Sequence, residues 1–69
     1  MTIHIVIWFL SGAVVVFDKN GKQLPQYQGQ YLDVRGAILR DAPPEALFIA
    51  ETVDAQGLYH LKSFCKEEW

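Results

Sequence analysis

The stretch Ile3-His4-Ile5-Val6-Ile7-Trp8-Phe9-Leu10-Ser11-Gly12-Ala13-Val14-Val15-Val16-Phe17 decides the fold. Twelve of its fifteen residues are apolar, and seven are Ile or Val. Such β-branched side chains are stiff at χ1 and favour extended backbone. A membrane-spanning helix needs about 20 apolar residues, more than this run supplies. A signal peptide needs a basic start, and no Lys or Arg precedes Lys19. Ser11-Gly12 breaks the run near its middle. The stretch therefore reads as two buried strands, Ile3–Leu10 and Ala13–Asp18, joined by a two-residue turn in which Gly12 takes a positive φ.

Working outward, Asp18-Lys19-Asn20-Gly21 reads as a type I turn with Gly21 in the left-handed bulge position. A short third strand, Lys22–Leu24, should stop at Pro25, which cannot donate to a ladder. The Gln-rich segment to Gln30 reads as a loop. A helix is expected over Gln30–Asp41, where Tyr31, Val34 and Ile38 recur at helical spacing and Ala37 and Leu39 widen the stripe. Arg35 and Arg40 fall on its outer side. Gly36 within it costs about 1 kcal/mol relative to Ala and marks either a close helix–sheet contact or a weak helix. Pro43-Pro44 ends the helix. Leu47–Val53 and Leu58–Cys65 then form a hairpin through Asp54-Ala55-Gln56-Gly57.

The order ββ(β)αββ implies an α+β fold: an antiparallel, twisted sheet of four or five strands with one helix packed on one face. At 69 residues it is a single domain spanning 1–69. The composition, 51% hydrophobic and 20% charged, is globular, and too apolar for a disordered tail. The net charge of −2 argues against a basic nucleic-acid binder. The lone Cys65 excludes an intramolecular disulfide and a four-cysteine zinc site, and a lone thiol without an export signal suits a reducing cytoplasm. A chain of this size buries only about 60% of its unfolded surface, so small domains usually add a disulfide, a metal or an oligomer interface. Oligomerisation is the device that remains.

A turn with a left-handed glycine sets the register of the last hairpin. Asp54 should then face Leu58. Val53 faces Tyr59, Glu51 faces Leu61, Ile49 faces Ser63 and Leu47 faces Cys65 on one side of the sheet, the expected core side under the helix. Thr52–His60, Ala50–Lys62 and Phe48–Phe64 share the other. A two-residue first turn would put Ile3, Ile5, Ile7, Phe9, Val14 and Val16 on one side, with His4, Val6, Trp8, Leu10, Val15 and Phe17 on the other. On this reading Ile5, Ile7, Val16, Ile38, Leu47, Ile49 and Leu61 are core. Val6, Trp8, Leu10, Val15, Phe17, Phe48 and Phe64 form an apolar face opposite the helix, open to water. Apolar patches beyond a few hundred Å² usually mark interfaces. A homodimer or another protein partner is the expected occupant. The competing expectation is that the sheet curls over, or that the Gln-rich loop and Lys66-Glu67-Glu68-Trp69 fold over part of this face.

Chemistry is sparse. The register sends His60 and Cys65 to opposite faces, which disfavours a catalytic pair, and Cys65 is expected to be buried and slow to react. No His-x-x-x-His, Cys-x-x-Cys or Asp-x-Asp spacing suggests a metal, and the glycines do not cluster into a phosphate cradle. Glu51 on the core side is unusual and is expected to pair with Arg35 or to lie at the sheet edge. No catalytic, cofactor or metal-ligating residue is assigned, and the chain is not read as an enzyme or as a membrane protein. The reading is a non-enzymatic self-associating or partner-binding module. The alternative is single-stranded nucleic-acid binding through sheet aromatics, which the acidic balance and the single Lys62 on that face oppose. A small enzyme of undefined chemistry comes third.

Overall fold

The computed structural model describes residues 2–69. The strands are β1 (Ile5–Trp8), β2 (Ala13–Phe17), β3 (Gly29–Gln30), β4 (Leu47–Val53) and β5 (Tyr59–Phe64), and one helix, α1 (Tyr31–Asp41), lies between β3 and β4. They form one five-stranded sheet in the order β3-β2-β1-β4-β5, an α+β architecture. Every neighbouring pair is antiparallel except β1 and β4, which run parallel at the centre. The purely antiparallel expectation is corrected there. The chain reaches the edge at β3, returns through α1, and begins β4 beside the start of β1, where Leu47 N–H donates to His4 O at 2.8 Å. A run that is apolar on both faces suits such a central strand.

Three turns share one construction. In each, a residue and the residue four positions on are bridged by N–H to carbonyl bonding around a three-residue loop ending in glycine: Phe9–Ala13, Asp18–Lys22 and Asp54–Leu58. Gly12, Gly21 and Gly57 have φ of 94°, 79° and 82°, the left-handed region that glycine enters without a Cβ penalty. Asp18 and Asp54 reinforce their turns, each carboxylate accepting the backbone N–H groups two and four residues on, at 2.9–3.0 Å. The first turn lacks an aspartate. There the Glu51 carboxylate takes the Leu10 N–H at 3.1 Å, so Glu51 does not pair with Arg35.

The first turn therefore holds three residues, Leu10-Ser11-Gly12, where two were expected. Ile5 pairs with Phe17, Val6 with Val16, Ile7 with Val15 and Trp8 with Val14. A one-residue slip moves a whole strand's side chains to the other face. The β4–β5 register agrees with the sequence at every pair: Phe48–Phe64, Ile49–Ser63, Ala50–Lys62, Glu51–Leu61, Thr52–His60 and Val53–Tyr59. The expected strand at Lys22–Leu24 is only a bridge between Phe17 and Gln23, followed by a 3-10 turn at Pro25–Tyr27.

The helix covers the side of the sheet that carries Val6, Val14, Val16 and Phe48. These pack with Val34 and Ile38 of α1 and with Ile3, Leu24, Ala42, Ala46 and Trp69. A second 3-10 turn, Lys66–Glu68, brings Trp69 into this core. Trp69 sits edge-on to Trp8 and Tyr31 and tilted against Phe48, with centroids 5.0–5.9 Å away. Its carbonyl oxygen accepts from Tyr31 Oη and from Arg35 Nε, the latter at 3.1 Å. Lys66 Nζ also donates to Ala42 O, so two cations pin the segment to α1 and the residue after it. Gly36 has open space around it, so it marks no close helix–sheet contact.

Candidate interaction surface

Residues opposite one another in the ladders share a face. The face under α1 carries Val6 and Phe48, both with no solvent exposure, and Trp8 and Phe64, both half-buried and packed against the core. These four were expected on the open face, and the structure places them inside. The physical cause is the three-residue first turn together with the side on which α1 crosses. Leu10 lies in the loop and is exposed. Only Val15 and Phe17 of the expected set share the face opposite the helix, both half-buried.

That opposite face is nonetheless open and apolar, built from the other half of the alternation. Ile5, Ile7, Val15 and Phe17 meet in the β1–β2 register. Leu47 and Ile49 lie beside Ile5 and Ile7 in the parallel register. Val53, Tyr59 and Leu61 continue the face along the last hairpin. Leu47 is 42% exposed, Val53 49%, Tyr59 71% and Leu61 71%. Of the seven residues expected in the core, only Val16 and Ile38 are buried. Ile5, Ile7 and Ile49 are half-buried, and Leu47 and Leu61 are exposed. One observation could have found this set: Phe9 to Gly12 has the same length as Asp18 to Gly21 and Asp54 to Gly57. Reading it as the same turn moves the first-hairpin register by the required one residue.

The only ionisable carboxylate among these ladder residues is Glu51, and it is occupied by the Leu10 N–H. No Lys or Arg stands among them. The aromatic platform of the nucleic-acid reading is dispersed by the same geometry, because Trp8, Phe48 and Phe64 lie under α1.

The remaining chemistry is local. His60 Nε2 lies 2.8 Å from Asp54 Oδ2, an exposed pair at the hairpin tip. The His60 hydrogen bond, helped by the Leu58 N–H, holds the Asp54 carboxyl below its ordinary pKa. The other oxygen of Asp54 braces its turn, so the pair serves the hairpin. Cys65 is exposed, which corrects the buried expectation. Glu68 beside it raises the thiol pKa, first through a hydrogen bond and then through its charge. Tyr27 Oη donates to Asp41 at 2.7 Å, and Arg40 grips the same carboxylate and lowers its pKa. A shallow depression is lined by Thr2, Asp18, Lys19, Asn20 and Glu45, but Asp18 is committed to its turn. Among the described residues no group of three or more His, Cys, Asp or Glu could hold a metal ion, and no helix is long and apolar enough to cross a membrane.

No protein-family model, curated protein or solved structure matches the chain.

Proposed function

We propose that this chain is a non-enzymatic docking module, self-associating or partner-binding, that works through the sheet face opposite α1. One observation carries the reading: Tyr59 and Leu61 of β5 are each 71% exposed on a face that continues through Ile49, Ile7, Ile5 and Phe17. Large apolar residues at that exposure, contiguous across four strands, hold free energy that only another surface can release, at about 25 cal/mol per Å² covered. The lone thiol fits work in a reducing cytoplasm.

The test is binding of an anilinonaphthalene sulfonate dye to dilute protein. Wild type should enhance its fluorescence, and Leu61→Lys should weaken that enhancement several-fold. Leu32→Lys, on the exposed outer side of α1, should leave it unchanged. A wild type that binds no dye and associates with nothing would sink the reading.

A further inference from the structure

The open face is bounded by a free sheet edge, and the two together indicate what covers it. In the β4–β5 ladder the turn bond from Asp54 N–H to Leu58 O sets the phase. The hydrogen-bonded pairs are then Thr52–His60, Ala50–Lys62 and Phe48–Phe64, because such pairs alternate along an antiparallel ladder. The backbone groups of Tyr59, Leu61 and Ser63 point away from β4, to the outer edge of the sheet. The side chains of Tyr59 and Leu61 belong to the open face. A partner has two geometries available: pairing with this edge, or lying flat over the face.

Two features decide between them. The first is area. Leu47, Val53, Tyr59 and Leu61, 42–71% exposed, adjoin half-buried residues of β1 and β2 in one patch across four strands, the kind of surface from which a standard interface takes about 800 Å² per partner. Edge pairing would leave nearly all of it wet. The second is charge. Among the described ladder residues of the face there is no Lys or Arg, and the one carboxylate, Glu51, accepts the Leu10 N–H. The face offers no cation among these ladder residues to select an acidic partner, and an equally apolar surface matches it. Permanent homodimer interfaces have this composition, a core cut in half.

We infer that the occupant is a second copy of this chain, docked face to face about a two-fold axis, so that two sheets pack between two outer helices. The inference rests on the docking reading above and specifies its partner. An isologous contact uses one patch twice. Packed sheets stand about 10 Å apart, with the inner side chains of both in contact. The β5 edges stay outside the contact, where Lys62, on the other face, keeps them from pairing.

The experiment is solution mass by sedimentation across concentration, with amide exchange on the same samples. The expected result is a mass rising from 7.9 kDa to twice that value. Leu61→Lys should keep its far-UV circular dichroism and raise the dissociation constant at least 100-fold. The outward amides of Tyr59, Leu61 and Ser63 should exchange freely in the dimer. If Leu61→Lys loses its secondary structure, Tyr59→Glu, at an equally exposed site, takes its place. A wild type that stays at 7.9 kDa to millimolar concentration yet binds the dye overturns the second copy and leaves the docking surface standing. Monomer without dye binding removes both. A dimer with those three amides protected, and unmoved by the lysine, is an edge-paired one and overturns the face-to-face arrangement.

Discussion

Trp8 lies flat against Tyr31, ring centroids 3.8 Å apart and planes 8° from parallel, joining the central strand to the first turn of α1. The pair is locked from the side by Trp69, whose carbonyl oxygen accepts from the same tyrosine. Three segments far apart in sequence converge at this point.

Trp8→Asp should therefore unfold the chain outright. Burying an unpaired carboxylate and losing the stacked indole together exceed the stability available to 69 residues, about 3–10 kcal/mol. Trp69→Ala should cost about 3–5 kcal/mol as a large-to-small core change. Urea denaturation followed by tryptophan fluorescence measures both. A folded Trp8→Asp with native-like circular dichroism would show that the stack contributes little.

Acid should loosen the last hairpin first. The folded pKa of Asp54 is depressed, so its contribution is present above the unfolded aspartate value of about 3.9 and disappears as pH falls through the lower folded value. Carbon-13 titration of the Asp54 carboxyl should give a midpoint below that ordinary value. Asp54→Asn should flatten the acid-side dependence of amide protection at Gln56 and Leu58. A midpoint at or above the ordinary value contradicts the hydrogen-bonded turn.

The thiol of Cys65 should be accessible yet weakly nucleophilic at neutral pH. It is exposed, but Glu68 disfavours the thiolate, and the thiolate is the reacting form. Labelling by iodoacetamide should accelerate with pH well past the range of an ordinary cysteine. Glu68→Gln should move that profile to lower pH. Identical profiles for the two proteins would rule out the carboxylate as the cause.

Three glycines should respond differently to alanine. Gly12→Ala should cost about 1–2 kcal/mol, because φ is +94°; the nearby Gln30 side chain can swing away from the new Cβ. Gly57→Ala meets open space and should lose about 1 kcal/mol for its left-handed backbone alone. Gly36→Ala should gain about 0.5–1 kcal/mol, since helix propensity improves and nothing lies within 4 Å. Thermal denaturation of the three variants checks the order, and a destabilising Gly36→Ala would contradict the open helix surface.

Local chemistry made much of this legible. Asp54 and Gly57 specify their turn through a carboxylate that collects two N–H groups and a residue that tolerates positive φ, and six cross-strand pairs follow. Val34 and Ile38 are buried as their spacing requires, and Pro43-Pro44 follows the helix end at Asp41. The first turn is one residue longer than the Ser11-Gly12 pattern implies, and its brace, Glu51, comes from 41 residues away. Phe9-Leu10-Ser11-Gly12 has no aspartate of its own, and only its length matches the other two turns.

The sequence by itself determined four of the five strands and the helix, the register of the last hairpin, and that a single short helix leaves one apolar sheet face uncovered; it placed the third strand at Lys22–Leu24, where the structure has only a bridge, and missed β3 at Gly29–Gln30. Only the tertiary structure decided which face. Alternation sorts residues into two sets, and here both are apolar, so hydrophobicity cannot choose between Ile5-Ile7-Ile49 and Val6-Trp8-Phe48. The choice fell to the parallel pairing of β1 with β4 and to the Trp8–Tyr31–Trp69 stack, contacts between segments remote in the chain. The Trp8, Tyr31, Trp69 and Phe48 rings pack together between helix and sheet, and the set with Ile5, Ile7 and Ile49 is left facing outward.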